Sequence, residues 1–156
     1  MALLPLGTLF SAVRIPGRLV QAVIASADAE EIDDFLDEFL DGGPVICDPR
    51  GPRYYALVPA SVPTTWRQAA DDWRRSADVE CLGRGSYLGV PRAHATDFRP
   101  QTLESYWSVA MASPGLLCPP LTVARLIAVG VHHLSGGEEA WPRDAPLSTC
   151  TRQCPV

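Results

Sequence analysis

Asp48 closes a short apolar run, Val45–Cys47, and is followed by Pro49, Arg50 and Gly51. A carboxylate at a strand end can act as a general acid or base, or hold a metal. His94 lies in a polar stretch with Asp97 nearby, and imidazole is the other acid/base group that works near neutral pH. Tyr54, Tyr87 and Tyr106 would complete an aromatic-lined pocket if the protein were a small enzyme using Asp48 or His94. A Ser-His-Asp triad would need His94, His132 or His133, the three histidines of the chain, and no GxSxG elbow accompanies them. HExxH is absent, and adjacent histidines do not by themselves set a metal spacing. Each group also has a purely local use. Asp48-Pro49 favours a turn through side-chain capping and the fixed φ of proline. His132-His133 suit the end of a helix, where positive charge is favoured.

Charge separates along the chain. Arg14, Arg18, Arg50, Arg53, Arg84 and Arg92 are the candidate phosphate contacts of a nucleotide or nucleic-acid binder. Arg14 and Arg18 flank Pro16, just ahead of a helix whose N-terminus would favour an anion. Gly83-Arg84-Gly85-Ser86 has the glycines of a phosphate loop, but GxxxxGK[ST] is missing and a strand follows, so it reads as a turn. Residues Asp28 to Asp41 hold eight acidic side chains and no basic one, within a net charge of −5 for the whole chain. Outside that block the bases outnumber the acids. Asp33, Asp34 and Asp37 are the candidate contacts for a basic protein partner, or else a solvated helix face. No basic tract predicts a large nucleic-acid footprint.

Five cysteines without an export signal argue against a disulfide scaffold. Cys47, Cys81 and Cys118 lie in or beside apolar runs and read as buried thiols. Cys150 and Cys154 lack the second ligand pair that zinc would need, so neither a metal nor a cofactor is expected. The opening MALLPLGTLF has no basic flank and is broken by Pro5 and Gly7. It predicts neither a signal peptide nor a membrane span, and hence a cytoplasmic protein with no membrane partner. With 156 residues, 47% of them hydrophobic, the chain suits one domain over 7–134, with 135–156 as a flexible tail that Trp141 could anchor.

The elements that must position these groups are legible in outline. Val45–Cys47 and Tyr54–Val58 predict a hairpin around the Asp48–Pro52 turn. The second run is apolar throughout, as in a strand covered on both faces. Leu9–Ile15 predicts a strand ended by Pro16. Gly17–Ala25 predicts a helix buried through Leu19, Val20, Val23 and Ile24. Asp28–Leu40 predicts a helix capped by Asp28, with Glu31 completing a capping box and a stripe of Ile32, Phe35, Leu36, Phe39 and Leu40. A helix from Trp66 to about Arg74, capped by Thr64 or Thr65, would bury Trp66, Ala69, Ala70 and Trp73. Val79–Leu82 and Tyr87–Val90 predict a second hairpin. Arg92–Thr102 is a loop and Tyr106–Met111 a strand. Leu121–Val131 is a final helix that Gly130 weakens or ends. The expected fold is α+β or α/β: one compact domain with short β-hairpins forming a sheet packed by three to four helices.

The segments GTLFSAVRIP, GGPVICDPRGPRYYALVP, CLGRGSYLGVP and YWSVAM, in that order between Gly7 and Val131, resemble small actinobacterial proteins. Those are distantly similar to the N-terminal domain of bifunctional DNA primase/polymerase proteins. The resemblance implies an α/β fold and, in the polymerising family, a metal-binding motif of the form apolar-Asp-x-Asp. This chain departs there, since Val45-Ile46-Cys47-Asp48-Pro49-Arg50 offers one aspartate and no second. Two-metal nucleotidyl transfer needs converging carboxylates. The resemblance therefore implies a domain without polymerase activity and carries over no catalytic residue. The leading expectation is a noncatalytic interaction or regulatory domain. The alternatives are a nucleotide- or nucleic-acid-binding domain and a small enzyme with the aromatic pocket.

Overall fold

The computed structural model describes residues 1–136. In chain order the elements are β1 (Ala2–Pro5), β2 (Ser11–Pro16), α1 (Gly17–Ile24), α2 (Ala29–Phe39), β3 (Val45–Asp48), β4 (Arg53–Val58), α3 (Val62–Thr65), α4 (Arg67–Ala77), β5 (Glu80–Leu82), β6 (Tyr87–Val90), β7 (Tyr106–Val109) and α5 (Pro120–Gly136). Strands and helices form one mixed α+β domain, as the periodicities predict.

β3 and β4 make the expected hairpin, with Cys47 opposite Tyr54 and Val45 opposite Ala56. β4 is the middle strand of a five-stranded sheet ordered β5-β2-β4-β3-β7, in which every neighbouring pair is antiparallel. Its side chains alternate between two cores. Tyr54, Ala56 and Val58 enter the helix-covered core, and Leu57, with Tyr55 packed alongside, enters the opposite one. Burial on both faces explains why the run is apolar without alternation.

The helix-side core is built from Leu19 and Val20 of α1, Ile32 and Leu36 of α2, and Val123, Leu126 and Ile127 of α5, all essentially inaccessible. Truncating any one of the leucines or isoleucines among them to alanine costs about 2–5 kcal/mol. Pro16 leads into α1 with extended geometry, and the Gly17 N–H donates to the Pro52 carbonyl at 2.7 Å, tying the helix start to the β3–β4 turn. Asp28 caps α2 by accepting from the Glu30 and Glu31 N–H groups at 3.0 and 3.1 Å. The return half of the expected capping box is not made by Glu31. Ser26 Oγ accepts the Asp28 N–H instead, at 3.1 Å. Gly130 does not end α5. A β-carbon there would stand 2.2 Å from Leu19 Cδ2 and 2.9 Å from the Leu19 carbonyl, so the glycine lets α1 and α5 approach closely. The helix runs on to Gly136 and takes in His132 and His133, whose Nδ1 lies 3.0 Å from the Ala22 carbonyl oxygen.

Two further expectations are corrected. Thr64 and Thr65 do not cap the tryptophan helix. They lie in the one-turn α3, where Thr65 Oγ1 donates to the Ser61 carbonyl, and α4 starts at Arg67. Trp66 and Trp73 still meet, ring centroids 5.8 Å apart, against the helix-side core. The second correction concerns β5 and β6, which do not pair with each other. The turn between them forms, Ser86 N–H donating to Gly83 C=O at 3.0 Å, but it sends the two strands to different sheets. β5 joins β2 at the edge of the main sheet, and β6 pairs with β1 in a separate two-stranded ribbon. The sequence reading placed no element before Gly7. The β1–β6 ladder is extended by the Leu6 N–H, which donates to Ser86 O, and by Gly7, whose φ of +88° and lack of a β-carbon let it lie against the Arg84 backbone. Leu6 and Leu88 then pack with Ala12, Ile46, Leu57 and Trp107 to form the second core. Cys150, Cys154, Trp141 and the expected flexible tail lie outside the described residues, apart from Ser135 and Gly136, which belong to α5. Among the described residues no helix is long and apolar enough to cross a membrane.

Candidate functional site

On the face of the sheet that carries the ribbon, a cleft of about 670 Å³ stays open, a volume within the range of small-molecule sites. Its sheet-side residues are Ile46, Asp48 and Tyr55. One wall comes from the ribbon, through Met1, Leu88 and Gly89. The other is the segment joining β6 to β7, which contributes Arg92, His94, Asp97, Arg99 and Glu104. That segment, residues 91–105, has no helix or strand of its own, and connections that long usually serve a function. It is pinned at several points. Trp107 N–H donates to Ala95 O at 2.7 Å, and Leu103 N–H to Arg99 O at 2.9 Å. The Phe98 and Tyr106 rings stand 6.0 Å apart. Leu103 takes a left-handed φ of +50°, uncommon for a branched apolar residue.

Arg50 reaches the cleft from the β3–β4 turn. Asp48 Oδ1 accepts the Arg50 N–H at 3.2 Å, the local turn that the Asp-Pro pair predicts, and Arg50 Nη2 donates to the Thr102 carbonyl at 3.4 Å. Arg50, Arg92 and Arg99 make no ion pair among the described residues. Of the six arginines singled out in the sequence, the structure brings Arg50 and Arg92 to this cleft. Arg14, Arg18, Arg53 and Arg84 are not among its lining residues. Arg14 is engaged with Glu80 at 2.9 Å and Asp78 at 3.9 Å, and Arg18 is exposed on α1. Asp48 and His94 both line the cleft, but no hydrogen bond joins them among the described residues. The three tyrosines do not converge. Tyr106 lines the cleft, Tyr54 is turned into the helix-side core, and Tyr87 is exposed on the ribbon. Tyr55 stands in the position that the sequence reading gave to Tyr54. Arg99 was missed as well, though it shares a polar segment with Arg92; the length of that segment was the available signal.

A second groove, of about 780 Å³, lies between α2, β7 and residues 96–98. Six carboxylates line it, Asp28, Glu30, Asp33, Asp34, Asp37 and Asp97, and no basic side chain does. Asp97 belongs to both clefts. Asp33 differs from its neighbours. Its Oδ1 accepts from the Tyr106 hydroxyl at 3.3 Å and from the Ser108 hydroxyl at short range. Burial pushes its carboxyl up to about 6, against the lowering by those two hydroxyls, with Asp34 and Asp28 adding to the rise. Behind it runs a polar row across three strands, Tyr54, Cys47 and Tyr106, set side by side by the strand register. Burial pushes the Cys47 thiol up to about 11 and both phenols well above their ordinary range, so none of the three is poised to react near neutral pH. Cys118 is buried, its Sγ donating to the Pro44 carbonyl at 3.4 Å, and its thiol is pushed up to about 12. Cys81 is half-buried, and burial raises it to about 11. Among the described residues no three histidine, cysteine, aspartate or glutamate side chains gather as a metal-ligand set.

No family model, no curated protein sequence and no solved structure matches this chain.

Proposed function

We propose that the protein is a cytoplasmic binding domain whose ligand is a compact anion bearing a planar ring, of the mononucleotide class, held in the cleft between the ribbon and residues 91–105. The observation that carries this is the meeting of Arg50, from one turn, with Arg92, Arg99 and His94, from a separate segment, around a pocket lined by Tyr55 and Ile46. Guanidinium groups suit phosphate because their planar fork matches its oxygens, and an aromatic face can stack on a base. The primase/polymerase resemblance points to the same ligand class. A cytoplasmic setting suits buried free thiols such as Cys47 and Cys118. Equilibrium binding of mononucleotides tests the proposal. Arg92→Ala and Arg99→Ala, both exposed positions, are each expected to weaken binding about ten- to a hundredfold, the loss of one charge-assisted contact, without lowering thermal stability. Absence of any mononucleotide binding at low salt would sink it.

A second reading, a surface for a basic partner, rests on the six carboxylates of the other groove. Its test is recovery of a protein partner by the native chain and loss of that partner in an Asp34→Asn/Asp37→Asn variant. Asp33 is left intact there because it ties α2 to β7.

A further inference from the structure

The charged side chains of the ribbon-side cleft differ in what carries them. Arg50 comes from the β3–β4 turn, and the rest come from residues 91–105, except for Asp48. Asp48 alone among them stands on the sheet, as the last residue of β3. It shares a face with Ile46, two residues earlier in the strand. Ile46 lies opposite Tyr55 and Asp48 opposite Arg53, so Tyr55 is the diagonal neighbour of Asp48 on that face. Ile46 and Tyr55 thus make a floor with a carboxylate at its edge. Asp48 is half-buried, and its Oδ1 is held by the Arg50 N–H at 3.2 Å. Among the described residues it forms no ion pair, and its Oδ2 accepts no hydrogen bond. The positive charge nearest to it in sequence is drawn to the wall. The Arg50 guanidinium donates to Thr102 O at 3.4 Å, on a turn closed by the Thr102 and Leu103 N–H groups onto Arg99 O. The anionic part of a ligand is therefore met at that wall, by Arg50 and Arg99. An unpaired carboxylate repels a phosphate, so whatever lies against Asp48 must donate hydrogen bonds.

We propose that Asp48 reads the edge of the base and that the ligand is a guanine nucleotide, an inference that rests on the mononucleotide reading of this cleft. A carboxylate offers two acceptors side by side and no donor. Guanine presents two adjacent donors, N1–H and the 2-amino group, and fits both oxygens at once. Adenine and cytosine each set a ring-nitrogen acceptor beside their amino group, and uracil flanks its one N–H with two carbonyls. Each of these three brings a lone pair against a carboxylate oxygen, a mismatch that a site built for a donor rejects. The pairing with guanine is charge-assisted and bidentate, the strong kind. The place of Asp48 beside Ile46 and Tyr55 puts it at the rim of a ring lying on them. Asp97 and Glu104 stand off that floor, exposed on the wall segment.

Titration calorimetry of the full chain with GMP, IMP, AMP, CMP, UMP, XMP and 2′-deoxy-GMP tests the proposal. GMP is expected to bind at least about tenfold more tightly than AMP, CMP or UMP. IMP, which lacks the 2-amino group, should fall between, and 2′-deoxy-GMP should match GMP. Asp48→Asn keeps an oxygen for the Arg50 N–H, so the turn is retained. Its amide can donate to the C2 carbonyl of xanthine while its oxygen accepts N1–H. The variant should therefore lose affinity for GMP and gain it for XMP, reversing the preference at least about tenfold, and a misfolded variant would gain nothing. Equal binding of all the bases, weakened by Arg92→Ala, overturns the assignment of Asp48 and leaves the mononucleotide reading standing. So does a guanine preference that Asp48→Asn leaves intact, or a loss confined to 2′-deoxy-GMP, which would place the carboxylate on the ribose. Absence of binding by every mononucleotide overturns both.

Discussion

Asp33 carries opposing demands in one side chain. Its carboxylate fixes α2 to β7 by accepting from Tyr106 and Ser108, yet it is partly removed from water and stands near Asp28 and Asp34. The balance leaves its pKa raised from 3.8 to about 6. The folded state thus holds a proton that the unfolded state has released between those values. Where the folded state binds more protons, stability falls as pH rises. The contribution of Asp33 is therefore fully present below about pH 4 and lost as pH climbs through about 6. Asp33→Asn keeps an oxygen that can accept from both hydroxyls but cannot ionise. Thermal unfolding of both proteins from acid to neutral pH should show the native chain losing ground to the variant across this window, with the difference level above it. A difference that does not change with pH would mean that Asp33 is no harder to ionise in the fold than in water. Its character was not legible in the sequence. Within the eight-acid block it looks like its neighbours, and only its position over β7, set by tertiary packing, separates it from Asp34 and Asp37.

At the level of elements, the crossing of α1 and α5 hinges on Gly130. Alanine there would improve helix propensity by about 1 kcal/mol, but its β-carbon would meet both the Leu19 side chain and the Leu19 carbonyl. Leucine can change rotamer, whereas the backbone oxygen can move only if the helices separate, and overpacking of this kind costs about 1–3 kcal/mol. Gly130→Ala is expected to destabilise the fold by up to roughly 2 kcal/mol net, read as a lower denaturation midpoint with an unchanged slope. A stabilising result would show that α1 and α5 do not pack as closely as the structure has them. Read along the sequence alone, Gly130 looks like a helix end, because its reason for being glycine lies about 110 residues away in α1. The same holds elsewhere in the chain. Elements whose cause is local, such as the Asp28-capped helix and the Asp48-Pro49 hairpin, were legible. The pairing of β1 with β6 was not, because strand partners far apart in sequence leave no local mark, and two glycine-linked strands resemble a hairpin whether or not they pair. The cleft was legible in part for the same reason. Arg50 and Arg92 were visible as arginines, but what joins them is the path of residues 91–105 over the sheet.

Across the whole molecule, charge is arranged so that one cleft ends where an acidic groove begins, with Asp97 on both. The cleft itself sets Arg50, Arg92 and Arg99 against Asp48, Asp97 and Glu104, so it is no general sink for polyanions. A nucleic-acid strand leaving it on the α2 side would run its phosphates past six carboxylates, most of them exposed, well within a Debye length of about 8–10 Å. A mononucleotide ends before that point. Mononucleotides are therefore expected to bind at least as tightly as short single-stranded oligonucleotides, with a shallow dependence on salt, since few counterions are released. Neutralising the groove isolates the cause. Asp34→Asn/Asp37→Asn should leave mononucleotide affinity unchanged and raise oligonucleotide affinity severalfold at low salt, the gain fading as salt is added. If oligonucleotides bind the native chain more tightly, with affinity growing with length, the acidic groove is not a barrier and phosphates must follow another path, with Arg53 and Arg84 outside the cleft as the first residues to substitute. If instead the double variant loses mononucleotide binding, the two clefts act as a single site, joined through the segment that carries Asp97.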